Sequence, residues 1–100
     1  MLHIVNKSPA ATSALQSCLR TARDGHSVLL IEDAVYAATA VAAAADCGLQ
    51  QALGRLKVYA LLPDLEARGM ARRCLPGIET VDYGGFVDLV ASHPNCQTWL

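Results

Sequence analysis

Four consecutive apolar residues, Val28 to Ile31, run directly into two carboxylates, Glu32 and Asp33, and then into an alanine-rich stretch that continues to Ala45. A short apolar run bounded by polar residues is the pattern of a strand buried on both faces, as in a parallel sheet. Asp33 stands where a helix would begin. A carboxylate there can accept backbone N–H bonds and favours the positive helix end. The stretch therefore predicts strand, tight turn, helix over 27–45. In open α/β sheets, ligands gather at the carboxyl ends of the strands. Glu32 and Asp33 are thus either a cap and its neighbour or part of a binding site.

The rest of the chain repeats this alternation. Leu2 to Val5 reads as a strand with His3 inside it. Ser8 and Pro9 form a helix start, as N-cap and first helical residue. The helix is expected to reach Arg23, with Ala11, Leu15, Cys18, Leu19 and Ala22 at helical spacing, and Asp24-Gly25 ends it. Gly48 suits a helix C-cap, and Leu49 to Leu53 adds a helical turn. Leu56 to Leu62 is a strand stopped by Pro63. Residues 63–69 form a single helical turn, and Met70 to Gly77 an irregular basic connection. Ile78 to Asp82 is a strand. A helix from Asp82 or Tyr83 to Ser92 turns Phe86, Leu89 and Val90 inward, and His93-Pro94 stops it. Gln97 to Leu100 is a terminal strand holding the only tryptophan. This order predicts a three-layer α/β/α sandwich with a mainly parallel five-stranded sheet, in one domain over 1–100.

Composition narrows the function. The chain is 53% hydrophobic and only 17% charged. A domain of this size leaves part of such an apolar excess outside, to be covered by another subunit. The net charge is -1, and only Arg72 and Arg73 are adjacent basic residues. Direct nucleic-acid binding is not expected, because it rests on neutralising several phosphates. Neither a signal peptide nor a membrane span is read, so a cytoplasmic location is expected. Cys18, Cys47, Cys74 and Cys96 are widely spaced and read as free thiols. Their spacing gives no zinc site, and no cofactor is expected.

Cys18 is the candidate for chemistry. A mid-helix cysteine among Leu15, Leu19 and Ala22 ordinarily acts as a small buried hydrophobe. The alternative is a thiolate that carries sulfane sulfur, which needs an accessible thiol of lowered pKa. Arg20, Arg23 and His26 offer positive charge nearby. A phosphatase-type loop is rejected, since Cys18 and Arg23 lie on a predicted helix. Cys74 beside Arg72 and Arg73 is a second setting for a thiolate. His3 reads as a hydrogen-bonded core or interface residue, His26 as a loop residue and His93 as a helix-end residue. Gly84-Gly85 lacks the fuller pattern of a phosphate loop.

The opening MLHIVNKSP, the stretches LLIEDAVYAA and VYALLPDLEARG, and the ending VDYGGFVDLVASHPNCQTWL together resemble the TusB/DsrH family of sulfur-relay proteins over almost the whole chain. The resemblance implies the DsrE/F/H-like sandwich with sheet order 4-3-2-1-5. It implies a heterohexamer, two copies each of three related chains, with TusC/DsrF-like and TusD/DsrE-like subunits. TusA-like and TusE/DsrC-like proteins would carry sulfur to and from that complex. The sulfur would serve 2-thiouridine formation at the tRNA wobble position or dissimilatory sulfur oxidation. It places the main acceptor cysteine on the TusD/DsrE-like subunit. Cys18 in QSCLR matches the first-helix cysteine of DsrH-type chains, which tilts the likeness to that side. Ala34 departs from the glycine usual after the aspartate of this turn. Cys47, Cys74 and Cys96 match no family role.

Three functions follow as expectations. The first is a sulfur-relay subunit, mostly structural, with Cys18 as a secondary carrier. The second is a stand-alone thiol enzyme using Cys18 or Cys74, although no evident base or resolving cysteine accompanies either. The third is a ligand-binding module using Glu32 and Asp33.

Overall fold

Strands β1 (Leu2–Val5) and β2 (Ser27–Leu30) are buried at every position, polar His3 and Ser27 included, as central strands of a parallel sheet covered on both faces are. The computed structural model describes residues 1–8, 12–39 and 49–99. With β3 (Lys57–Leu61), β4 (Ile78–Val81) and β5 (Cys96–Trp99) they form one sheet in the order β4-β3-β2-β1-β5. Every pairing is parallel, with Leu2 opposite both Ser27 and Cys96 and Val5 opposite both Leu30 and Trp99. This is the expected sandwich and the sheet order that the family resemblance implies.

Strand alternation divides the core in two. Val5, Val28, Leu30, Val58 and Ala60 point to one side, where they meet α1 (Ala14–Thr21), α2 (Leu49–Ala52) and α3 (Leu62–Ala67). A 3-10 helix, Glu32–Ala38, joins that layer and buries Ala34, Val35, Ala37 and Ala38. Leu2, Ile4 and Leu29 point to the other side, under α4 (Tyr83–Ser92). Right-handed crossovers explain the asymmetry: three successive steps β1 to β4 place their helices on one face, and the return from β4 to β5 places α4 on the other.

Several boundaries differ from the sequence reading. Helix α1 begins at Ala14, with Ser13 at its N-cap position, and ends at Thr21. Ser8 is therefore not the residue at its mouth, and Pro9 to Ala11 lie outside the described residues. The short C-terminal end follows from Ala22, whose backbone is already extended. The α-helix expected after β2 is a 3-10 helix through Ala38. The segment expected to continue it, Ala40 to Ala45, lies outside the described residues, as do Cys47, Gly48 and Leu100. In the basic connection, Ala71–Arg73 forms a 3-10 turn, and Cys74 bridges antiparallel to Thr39. Strand β5 begins one residue early, at Cys96. On α4, Phe86 and Leu89 pack inward, but Val90 is 39% exposed. The helix lies over the sheet so that the 86–89 row meets Leu29 and Ile4, and Val90 is rotated away from that row.

The glycine pair 84–85 has a packing role. A Cβ on Gly85 would stand 2.9 Å from Val81 Cβ. Glycine therefore lets the first turn of α4 lie directly on the end of β4. Asp82 completes the turn, its Oδ1 accepting the Gly85 N–H at 2.7 Å.

Candidate functional site

Cys18 faces the sheet from the middle of α1. Its side chain is fully buried, in one cluster with Leu15, Leu19, Ala22 and Val5. Burial pushes the thiol up to about 12, because no medium around it solvates a thiolate. Arg20 and Arg23 are exposed. The structure therefore brings none of the expected positive charge onto the sulfur. Cys74 is half-buried, its thiol 4.0 Å from the Ile78 carbonyl oxygen, and burial raises its pKa as well. Cys96 is exposed on β5.

The carboxyl ends of β2 and β3 carry a second arrangement. Asp33 does not cap the helix. Ile31 occupies the N-cap position, and Asp33 lies inside the first turn. Its Oδ1 accepts Arg68 Nε–H at 3.1 Å and Nη2–H at 3.0 Å. The capping role passes to another chain segment: Asp64 Oδ2 accepts the Glu32 N–H at 2.6 Å. Arg68 also donates through Nη1 to the Asp64 carbonyl oxygen at 3.1 Å. Glu32 holds a left-handed backbone at φ 51, where only glycine is at ease. Its N–H is thereby aimed at Asp64, and its own side chain stays outside the ion pair. The arrangement ties the β2 end to α3. Among the described residues, no group of three or more His, Cys, Asp or Glu is gathered to hold a metal ion.

A third arrangement was legible only in part: His3 is the hydrogen-bonded core residue expected, but its partners Trp99 and His26 were not read. His3 is 1% exposed, and its Nδ1 accepts the Trp99 indole N–H at 3.2 Å. Its Nε2 lies 3.1 Å from Nδ1 of His26. His93 is separate, with Nδ1–H donating to the Leu89 carbonyl oxygen at 2.7 Å and Nε2 3.2 Å from Ser27 Oγ. The signal that joins His3 to Trp99 is register: Val5 is opposite Trp99, so His3 is two residues back on the same face of the adjacent strand. That register becomes visible only after strand order is known.

Fold and site together define a small all-parallel α/β sandwich, with one described thiol sealed under its first helix. Its architecture is shared with a protein of unknown function, MTH1491, from Methanobacterium thermoautotrophicum, at TM-score 0.71 and 16% identity over 97% of this chain and 95% of that one. Protein Tm0979 from Thermotoga maritima matches at TM-score 0.62 and 21% identity, over 93% and 94%. These likenesses concern the fold alone. The model of the DsrH-like proteins matches residues 7–96, and the chain belongs to that family. Protein TusB of Pectobacterium parmentieri is 33% identical over 99% of this chain and 100% of its own length. Protein TusB of Escherichia coli K12 is 36% identical over the same shares.

Proposed function

We propose that this chain is an accessory subunit of a sulfur-relay complex that supplies sulfur for 2-thiouridine at the tRNA wobble position. Family membership over residues 7–96 carries this reading, and it supports a sulfur-relay role in tRNA thiolation. The full-length TusB relatives favour the tRNA pathway over dissimilatory sulfur oxidation. In this reading, the chain joins TusC/DsrF-like and TusD/DsrE-like subunits in a heterohexamer in the cytoplasm. TusA-like and TusE/DsrC-like carriers deliver and remove the sulfur. Among the described residues, no helix is long and apolar enough to cross a membrane.

The accessory role rests on Cys18. Persulfide transfer needs a thiolate that a carrier protein can reach. Cys18 is buried and its thiol is raised to about 12. In the proposed complex it packs α1 on the sheet, and a carrier role for it requires α1 to lift first. The outer side of α4 suits a subunit surface: Tyr83, Val87 and Val90, at helical spacing on one side, are 62%, 64% and 39% exposed.

Native mass spectrometry of the chain co-expressed with its two companion chains tests this. The expected product is a particle with two copies of each chain. A monomer or homodimer indifferent to the companions overturns the reading.

A further inference from the structure

The donors and acceptors around His3 admit one assignment of protons. Trp99 Nε1 is only a donor, so His3 Nδ1 is bare and His3 Nε2 carries the hydrogen. That hydrogen is given to His26 Nδ1, which also accepts the Arg23 backbone N–H at 3.2 Å. His26 Nδ1 is bare as well. The result is a one-way chain, Trp99 to His3 to His26, with its rings in series. The centroids of His3 and His26 are 5.2 Å apart, and those of His3 and Trp99 6.2 Å apart.

A proton added to this chain finds no acceptor among the described residues. On His3 Nδ1 it confronts the Trp99 N–H. On His26 Nδ1 it confronts both the His3 and the Arg23 N–H groups. His93 differs in its partner: its Nε2 faces Ser27 Oγ, a hydroxyl that can either donate or accept. We propose that the Trp99–His3–His26 chain is a proton-operated latch on β5, closed when both imidazoles are neutral and opened when either takes a proton.

The surroundings bear this out in charge. The amine of Met1 acts on both rings, and the Arg23 guanidinium acts on His26. Burial is the main cause that holds both imidazoles below their ordinary value of 6.5, followed on His3 by the neighbouring His26 ring and then the Met1 amine, and on His26 by the Met1 amine and then Arg23. The carboxylate next in sequence, Asp24, is 3.7 Å from Arg55. On the elements packed around the latch, α1 carries Cys18, buried in the core, and Arg20, exposed. Lys57 of β3 and Cys96 of β5 stand at strand positions that alternate to the opposite face of the sheet from His3. Among the described residues, no carboxylate acts on either ring. What the latch holds is the edge of the sheet, since among the described residues β5 pairs with β1 alone.

Proton and nitrogen NMR of the full chain between pH 8 and pH 5 tests the latch, with Trp99 as the only indole. At pH 8 both imidazoles should be Nε2–H tautomers and the indole N–H protected from exchange. As the pH falls, His3 or His26 should titrate with a midpoint below 6.5, and the indole N–H should lose protection in the same transition. Amides of β2 and β3 should stay protected. An indole N–H that stays protected while both imidazoles titrate overturns the proposal. So does loss of the β2 and β3 amides in the same step, which would make the event global unfolding.

Discussion

Arg55 Nη2 lies 2.5 Å from the carbonyl oxygen of Leu19 and so closes the carboxyl end of α1. Its other arm, Nη1, takes the Ala22 carbonyl oxygen at 2.7 Å. These are charge-assisted bonds to carbonyls that the helix leaves unpaired, at the end where a cation is favoured. Arg55→Met should destabilise the fold by about 1–3 kcal/mol, read from the urea midpoint. Arg55→Lys should recover less than half, because one ammonium does not reproduce a planar fork. An Arg55→Met protein with an unchanged midpoint would show that these bonds contribute nothing.

The glycine at position 85 is a second test. Alanine is the better helix former by about 1 kcal/mol, so Gly85→Ala on an open helix would stabilise. Here the new Cβ meets Val81 Cβ at 2.9 Å, and the net effect should be a loss of about 1–3 kcal/mol by overpacking. The pair Gly85→Ala with Val81→Gly, which removes the Val81 Cβ itself, should restore part of it, measured as a double-mutant cycle.

Thiol labelling ranks the cysteines. With its thiol at about 12, roughly one Cys18 in ten thousand is ionised at pH 8. Iodoacetamide on the native chain should modify exposed Cys96 first, Cys74 more slowly, and Cys18 only when the chain unfolds. Peptide mapping reads the order. Cys18 labelled natively at the pace of Cys96 would reopen its role as a sulfur carrier.

Stability should fall below neutral pH. The folded state holds His3 and His26 below their ordinary value of 6.5, so the unfolded chain takes protons more readily. The sign follows: the contribution is complete above that value and is lost as pH falls through it toward the lower folded values. Urea midpoints should therefore drop between pH 7.5 and pH 5.5. In His26→Asn the amide oxygen replaces the bare Nδ1 without titrating, and the drop should be smaller. An equal drop in that variant would place the effect on other groups.

The legible parts of this chain are those decided by neighbours in sequence. Val28 to Ile31 announces a central strand because every residue is apolar, and Asp82 caps its helix through Gly85, three residues away. The 3-10 helix was not legible. Asp33 has the chemistry of a cap, and only Arg68, 35 residues on, draws it away from that role. The same holds for Arg55, whose carbonyl partners, Leu19 in α1 and Ala22 just after it, lie 36 and 33 residues away. Gly85 was ambiguous, since a glycine read alone does not tell close packing from a loop. For Cys18, sequence left burial and reactivity both open, and the position of α1 on the sheet buries it.

Strand β5 enters the sheet beside β1, and His3 and Trp99 are 96 residues apart in the chain. Every other neighbouring pair in the sheet joins strands consecutive in the chain. Closing so long a loop costs about 4 kcal/mol of chain entropy before any contact rewards it. The order of events during folding follows from that asymmetry. Strands β1 to β4 can zip by short steps, and β5 docks last, after the main barrier. Weakening the β1–β5 seam should then quicken unfolding while leaving the folding rate nearly untouched.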